Sequence, residues 1–327
     1  MPAIEDFDHF VFIVGAPRSG TTTMARMLQA HPQIAFPFVK EPHFFSQHDL
    51  RGPDDVELRR VVTRDYLGHF FIGLREGQNV GADGSVSYLY APEQLEPILR
   101  LWSNSRFIVG VRDPLDLLRS LHKRLLYTGD ENLRRFEDAW GAIPDRTKGK
   151  RVPWSAIDPR WLRYDEAARY ATYIERLFTA VGRERCLVVV FDDLVADPAG
   201  QFAKILEFAG LRDIPLPEVE NERDSKGVRH IWLQQILKRP PRILLPYLAG
   251  AEYRRRFKQA TKGPTELRKP SRSSLRKRIL RWNRAPDDKS PIAWSTQLEV
   301  KAHFQEEIDR LGSLIGRDLS HWLRPEA

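Results

Sequence analysis

The segment Gly15-Ala16-Pro17-Arg18-Ser19-Gly20-Thr21-Thr22 carries the first chemistry in this 327-residue chain. Two glycines with four residues between them, followed by hydroxyls, come close to G-x-x-x-x-G-K-[ST]. The backbone N–H groups of such a loop converge on phosphate oxygens, and a helix starting directly after it adds its positive end. The departure falls at position 21, where threonine stands in place of the lysine of a nucleoside triphosphatase. The cation lies three residues earlier, at Arg18. That placement suits one phosphate carrying one transferable group better than a triphosphate with magnesium. Ser19, Thr21, Thr22 and Thr23 together exceed what capping a helix requires. The bland alternative is a glycine turn between strand and helix, with Arg18 in solvent.

Such a loop needs a rigid frame. His9 to Val14 is a continuous apolar run with β-branched residues and reads as a buried parallel strand. Thr21 to Ala30 reads as a helix with Met24, Met27 and Leu28 on one face, ended by His31-Pro32. Further strands are expected over 106–111 and 186–191, with a weaker one over 79–83. Helices are expected over about 114–126, 198–209 and 296–315. Repeated strand–helix units predict a P-loop-like three-layer α/β fold, a central parallel sheet with helices on both faces. Residues 129–160 show no periodicity and read as an inserted loop region. The simplest organisation is a single domain over 1–327. It divides into a core over about 9–230, a basic helical appendage over about 231–290 and a closing helix over about 296–315.

Composition narrows the classes. The 42% hydrophobic and 29% charged fractions are those of an ordinary globular protein. One cysteine, Cys186, excludes an intrachain disulfide and a multi-cysteine zinc site. No apolar run is long enough to predict a membrane-spanning helix. The first nine residues hold Glu5, Asp6 and Asp8 and do not read as a signal peptide, so a cytoplasmic location is expected. Net charge is +8, yet Lys238 to Arg284 alone holds 16 Lys+Arg against Glu252 and Glu266, so the remainder is net acidic. A basic segment on an acidic body implies a polyanionic partner or a solvated flap.

The loop gains meaning from a resemblance. Phe12-Ile-Val-Gly-Ala-Pro-Arg-Ser-Gly-Thr-Thr22 resembles the 5′-phosphosulfate loop of bacterial-type sulfotransferases that use 3′-phosphoadenosine 5′-phosphosulfate (PAPS). Ile108-Val-Gly-Val-Arg112-Asp-Pro114, with Ser120 eight residues after the arginine, is similar to the family's 3′-phosphate site. Val188 to Leu194 with Asp197-Pro198 resembles a later strand and helix start. Ser225-Lys226-Gly227 resembles the lysine–glycine loop over the nucleotide, and Gly316 to Trp322 a common family ending. The matches span the chain from residue 9 to about 322.

The resemblance implies in-line transfer of a sulfuryl group from PAPS to a hydroxyl, with release of 3′-phosphoadenosine 5′-phosphate (PAP). No metal is expected, because no metal-ligand cluster stands in the sequence and Arg18 supplies charge that magnesium would otherwise bring. Donor-binding residues would be Arg18, Ser19, Gly20, Thr21, Thr22, Thr23, Arg112, Ser120, Lys226 and Gly227. Arg18 would also hold the charge on the leaving phosphate. Lys40-Glu41-Pro42-His43-Phe44-Phe45 resembles the Lys-Glu-x-His-Phe-Phe stretch of heparan-type glycan sulfotransferases, where the glutamate is the proposed base. Glu41 is therefore the expected base and His43 the alternative. Lys40, Asp83 and Ser85 are expected to touch the acceptor. Asp83-Gly84-Ser85-Val86-Ser87-Tyr88 aligns with a segment of the same enzymes, but position 84 is glycine where those enzymes have a lysine near the transferred sulfate.

The acceptor is left as a glycan, lipid or small-metabolite hydroxyl, with an anionic glycan or a lipid mildly favoured by the basic segment. Nucleic acid is not expected, peripheral membrane contact stays open, and the oligomeric state is not legible. Two other readings remain: an ATP-dependent kinase using the same loop, and a non-catalytic polyanion or membrane-surface binder acting through residues 238–284.

Overall fold

The computed structural model describes residues 2–218, 227–239, 275–286 and 290–324. Lys226 and most of the basic segment, including residues 240–274, lie outside the described residues. The chain divides into two compact units. Among the described residues the first holds 2–112 and 170–218, and the second holds the rest.

The first unit is built on five parallel strands in the order β2-β3-β1-β4-β5. These are β1 (His9–Gly15), β2 (Ile34–Ala35), β3 (Val80–Asp83), β4 (Arg106–Val111) and β5 (Cys186–Val190). β1 lies at the centre with β3 on one side and β4 on the other. The chain thus reverses its winding at β1, the place where α/β sheets open a crevice beyond their carboxyl ends.

Alternation along β1 fills both faces of the sheet. Val11 and Ile13 join Met24 and Leu28 of α1 (Thr21–Gln29) in one apolar core, with Phe202, Ile205 and Leu206. Phe10 and Phe12 point the other way into an aromatic layer. Phe10 lies 4.3 Å from Trp102, and Phe12 stacks on Phe107 at 5.4 Å and meets Phe45 and Tyr88 edge-on. The expected P-loop-like α/β architecture, a parallel sheet with helices around it, is what the chain adopts.

The four anticipated strands and the helices over 114–128, 198–208 and 294–315 lie within two residues of expectation. β2 and the helix Tyr170–Val181 were not anticipated. In the second unit, residues 129–160 are more than loop: short helices span Phe136–Gly141 and Ile143–Thr147. They are pinned by a buried pair, Arg146 donating to Glu131 at 2.7 Å, with Tyr164 Oη donating to the other carboxylate oxygen. Long-range pairing of this kind leaves no periodicity in the sequence.

Candidate active site

β1 delivers the chain to the loop, and Gly20 turns it into α1. Gly20 has left-handed backbone (φ 79°, ψ 3°), and a Cβ there would lie 2.6 Å from Leu194 Cδ2, so conformation and space both demand glycine. Having no side chain, Gly20 leaves the first amides of α1 uncapped. Arg18 also has left-handed backbone, at φ 66°. His43 is a second such non-glycine residue in this unit, at φ 56°. Backbone held in this sparsely populated region concentrates at functional sites.

Beyond the loop lies a cavity of about 690 Å³. Arg18, Thr21, Thr22, Thr23 and Arg112 line it, and Phe191 and Leu194 form an apolar side. None of its lining residues is acidic among those described. Arg112 follows β4, and its guanidinium lies over the Phe191 ring at 4.4 Å and reaches Arg18 O at 3.5 Å. Tyr170 Oη donates to Arg112 O at 2.9 Å and fixes the backbone. Two permanent cations, three hydroxyls and an uncapped helix start thus face one space of nucleotide size. The donor set fits a phosphosulfate. Ser19 is the exception among the anticipated loop residues. It is 1% exposed and does not line the cavity, and its Oγ has no hydrogen-bond partner among the described residues.

A second cluster touches the loop through Thr22. Lys40 Nζ lies 3.4 Å from Thr22 Oγ1 and 2.8 Å from Glu41 Oε1. The other Glu41 oxygen is 3.6 Å from His43 Nε2. Burial pushes the Glu41 carboxyl up, but the His43 ring and the Lys40 ammonium beside it outweigh it and hold the group at about 2. His43 is fixed on its far side, with Nδ1 2.7 Å from Ser87 Oγ. Ser46 Oγ is 2.6 Å from the same hydroxyl and donates to His43 O at 3.1 Å. The His43 backbone N–H donates to Ser85 Oγ at 2.8 Å.

Asp83 and Ser85, anticipated to touch the acceptor, are both 0% exposed. Asp83 accepts from Tyr66 Oη, Tyr88 Oη, Ser85 Oγ and Ser85 N, at 2.6–2.9 Å. Burial pushes its carboxyl up, against these hydrogen bonds. Asp83 anchors Ser85, and Ser85 anchors His43.

The second unit carries the rest. Ser120 lies half-buried on the helix Pro114–Thr128, whose start is capped by Asp113 accepting from Leu115 N at 2.7 Å. Gly227 begins a two-residue strand paired with Arg284–Ala285. A Cβ at Gly227 would meet Pro286 O at 2.3 Å. Ser46, Ser87, Tyr170 and the stacking role of Phe191 were missed from the sequence. The alternating serines Ser85 and Ser87 after β3 were the available signal for one of them. Among the described residues no group of three His, Cys, Asp or Glu side chains is placed to hold a metal ion. No helix among them is long and apolar enough to cross a membrane.

A glycine loop after β1, an arginine beyond β4 and a carboxylate beside the loop are thus set on a parallel α/β sheet. The family model described as "Sulfotransferase family" matches residues 11–215, and the chain belongs to that family. It is 27% identical over 207 residues to heparan sulfate glucosamine 3-O-sulfotransferase 3A1 of Mus musculus, covering 62% of this chain and 46% of that protein. It is likewise 27% identical over 207 residues to protein-tyrosine sulfotransferase 2 of Gallus gallus, covering 62% and 51%. The chain thus spans about half the length of these curated relatives. A sulfotransferase structure from Alicyclobacillus acidocaldarius shares the fold, with a TM-score of 0.60, 22% identity and coverage of 96% of this chain and 98% of that one.

Proposed function

We propose that this protein transfers a sulfuryl group from PAPS to a hydroxyl acceptor. The acceptor oxygen uses a lone pair to form the new O–S bond, and its proton passes to the Glu41 carboxylate. The S–O bond to the 5′-phosphate breaks, and its electron pair stays on the phosphate oxygen of PAP. Arg18 and the amides at the start of α1 stabilise that oxygen as charge develops on it. Arg112, whose guanidinium lies over the Phe191 ring, takes the 3′-phosphate.

The observation that carries this reading is the cavity with no acidic residue among its described lining, joined to a carboxylate through the contact of Lys40 with Thr22. Glu41 is the base in preference to His43. Its carboxylate is ionised and sits one side chain from the loop, whereas His43 is turned by Ser87 and acts on Glu41 from behind. The relatives' names point to glycan and tyrosine hydroxyls, and a glycan, lipid or phenolic hydroxyl is the acceptor class proposed here.

The test is thermal stabilisation by PAP, compared with ADP and with ATP plus magnesium. A ligand at a hundred times its Kd adds about 2.7 kcal/mol to the folded state. PAP is expected to stabilise selectively, and Arg112→Ala to lose most of that effect. Equal or greater stabilisation by ATP with magnesium would move the protein to the kinases.

A further inference from the structure

Gly84 stands beside the site for a reason of space. It is absent from the positive-φ residues, so its backbone does not require glycine. Its N–H donates to Lys40 O at 3.2 Å, which lays the 83–88 segment alongside the 40–46 segment. A Cβ on Gly84 would stand 3.3 Å from Lys40 O, 3.4 Å from Lys40 Cε and 3.5 Å from Lys40 Cγ. The lysine stem therefore runs across the bare face of Gly84. Its ammonium ends between Thr22 Oγ1 at 3.4 Å and Glu41 Oε1 at 2.8 Å.

One cation thus touches both the hydroxyl at the rim of the donor cavity and the carboxylate that takes the acceptor's proton. In an in-line displacement the moving group travels between those two places. We propose that Lys40 holds the non-bridging oxygens of the sulfuryl group through transfer, with Gly84 as the seat that lets its side chain reach them. This inference rests on the function proposed above.

The bonds made and broken are those already given. Lys40 gives up no atom and keeps its proton, and it balances the negative charge shared by acceptor, sulfuryl group and phosphate. Moving the ammonium onto sulfuryl oxygens also releases Glu41 Oε1, which restores basicity to a carboxylate held low in the free protein. Donor binding and activation of the base become one event.

The experiment compares PAPS with PAP, which differ by the sulfuryl group alone and need no known acceptor. Dissociation constants are measured for wild type, Lys40→Met and the double variant Lys40→Met/Gly84→Lys. Lys40→Met is expected to weaken PAPS about tenfold or more and to leave PAP within about twofold, as loss of one charge-assisted contact does. The double variant grows an ammonium from the other side of the same space and is expected to recover most of the PAPS affinity. Equal effects on PAPS and PAP, or none on either, overturn the proposal. So does a double variant with wild-type Tm that recovers no PAPS affinity. A wild-type protein that fails to bind PAP at all sinks the proposed function itself, which is a separate result.

Discussion

The two halves of the site are made from different materials. The cavity is lined by arginines, hydroxyls and the start of a helix, groups whose charge and polarity do not change across ordinary pH. The cluster beside it relies on Lys40, Glu41 and His43 in mutual contact, all titratable and all dependent on one another's placement. A donor that is always anionic can be held by fixed charge. A proton can be removed only by a group able to change charge. The difference between the halves matches the two tasks proposed for them.

The strongest way to break this comparison is to take away the base while leaving the cavity intact. Glu41→Gln is expected to lower turnover by about 10³-fold or more and leave PAP affinity unchanged. PAP release from PAPS in the presence of a phenol or sugar hydroxyl reads the first, and titration with PAP the second. A normal rate, or a loss of PAP binding equal to the loss of rate, would erase the division of labour. If His43→Ala removes turnover and Glu41→Gln does not, the base has been assigned to the wrong residue.

Removing fixed charge from the other half comes next. Arg18→Ala is expected to cost about 10²–10³ in turnover, as losing a transition-state donor does. A near-normal rate for that variant would show that the amides of α1 suffice.

The smallest effect sharpens the comparison through pH. Glu41 ionises at about 2 in the folded protein, against 4.5 for an unperturbed glutamate. The unfolded chain binds the proton first as pH falls, so the stabilisation from ionised Glu41 is complete above 4.5. It shrinks as pH drops from 4.5 towards 2. The Tm difference between wild type and Glu41→Gln should be flat above that window and shrink within it. Arg18→Ala should show no such trend there. A Glu41→Gln difference that stays constant down to pH 2 would mean the carboxylate is not held by Lys40 and His43.

What the sequence made legible follows from how local the cause is. The loop from Gly15 to Thr22 is read from its own eight residues, because glycine, arginine and hydroxyls act where they stand. β1, β4 and β5 are read from apolar runs, because strands buried on both faces need them. β2 is two residues long and exists through pairing with β3, so no run marks it. The helix Tyr170–Val181 carries an apolar face in Ile174, Leu177 and Val181, a periodicity that its sequence does display.

The base cluster was half legible. Lys40, Glu41 and His43 stand together in the chain, but Ser87 meets His43 from 44 residues away. Asp83 and Ser85 were read as pocket residues because polar groups at a strand end usually face a crevice. Their burial depends on Tyr66, which reaches Asp83 from a stretch that the sequence left unassigned.

The interlock between residues 40–46 and 83–88 has a bearing on inheritance. Gly84 N–H holds Lys40 O, Ser85 Oγ holds the His43 N–H, and Ser87 Oγ holds the His43 ring. The two stretches are thus tied at three points, while the loop is tied to β4 through Ala16 N–H donating to Gly110 O at 2.7 Å, and Arg112 to Tyr170. Grafting one stretch from a distant relative would give a hybrid with mismatched halves. Moved together, the two stretches form an exchangeable cassette that carries the proposed base and the proposed sulfuryl-holding lysine as a pair, with Thr22 as its point of contact with the loop.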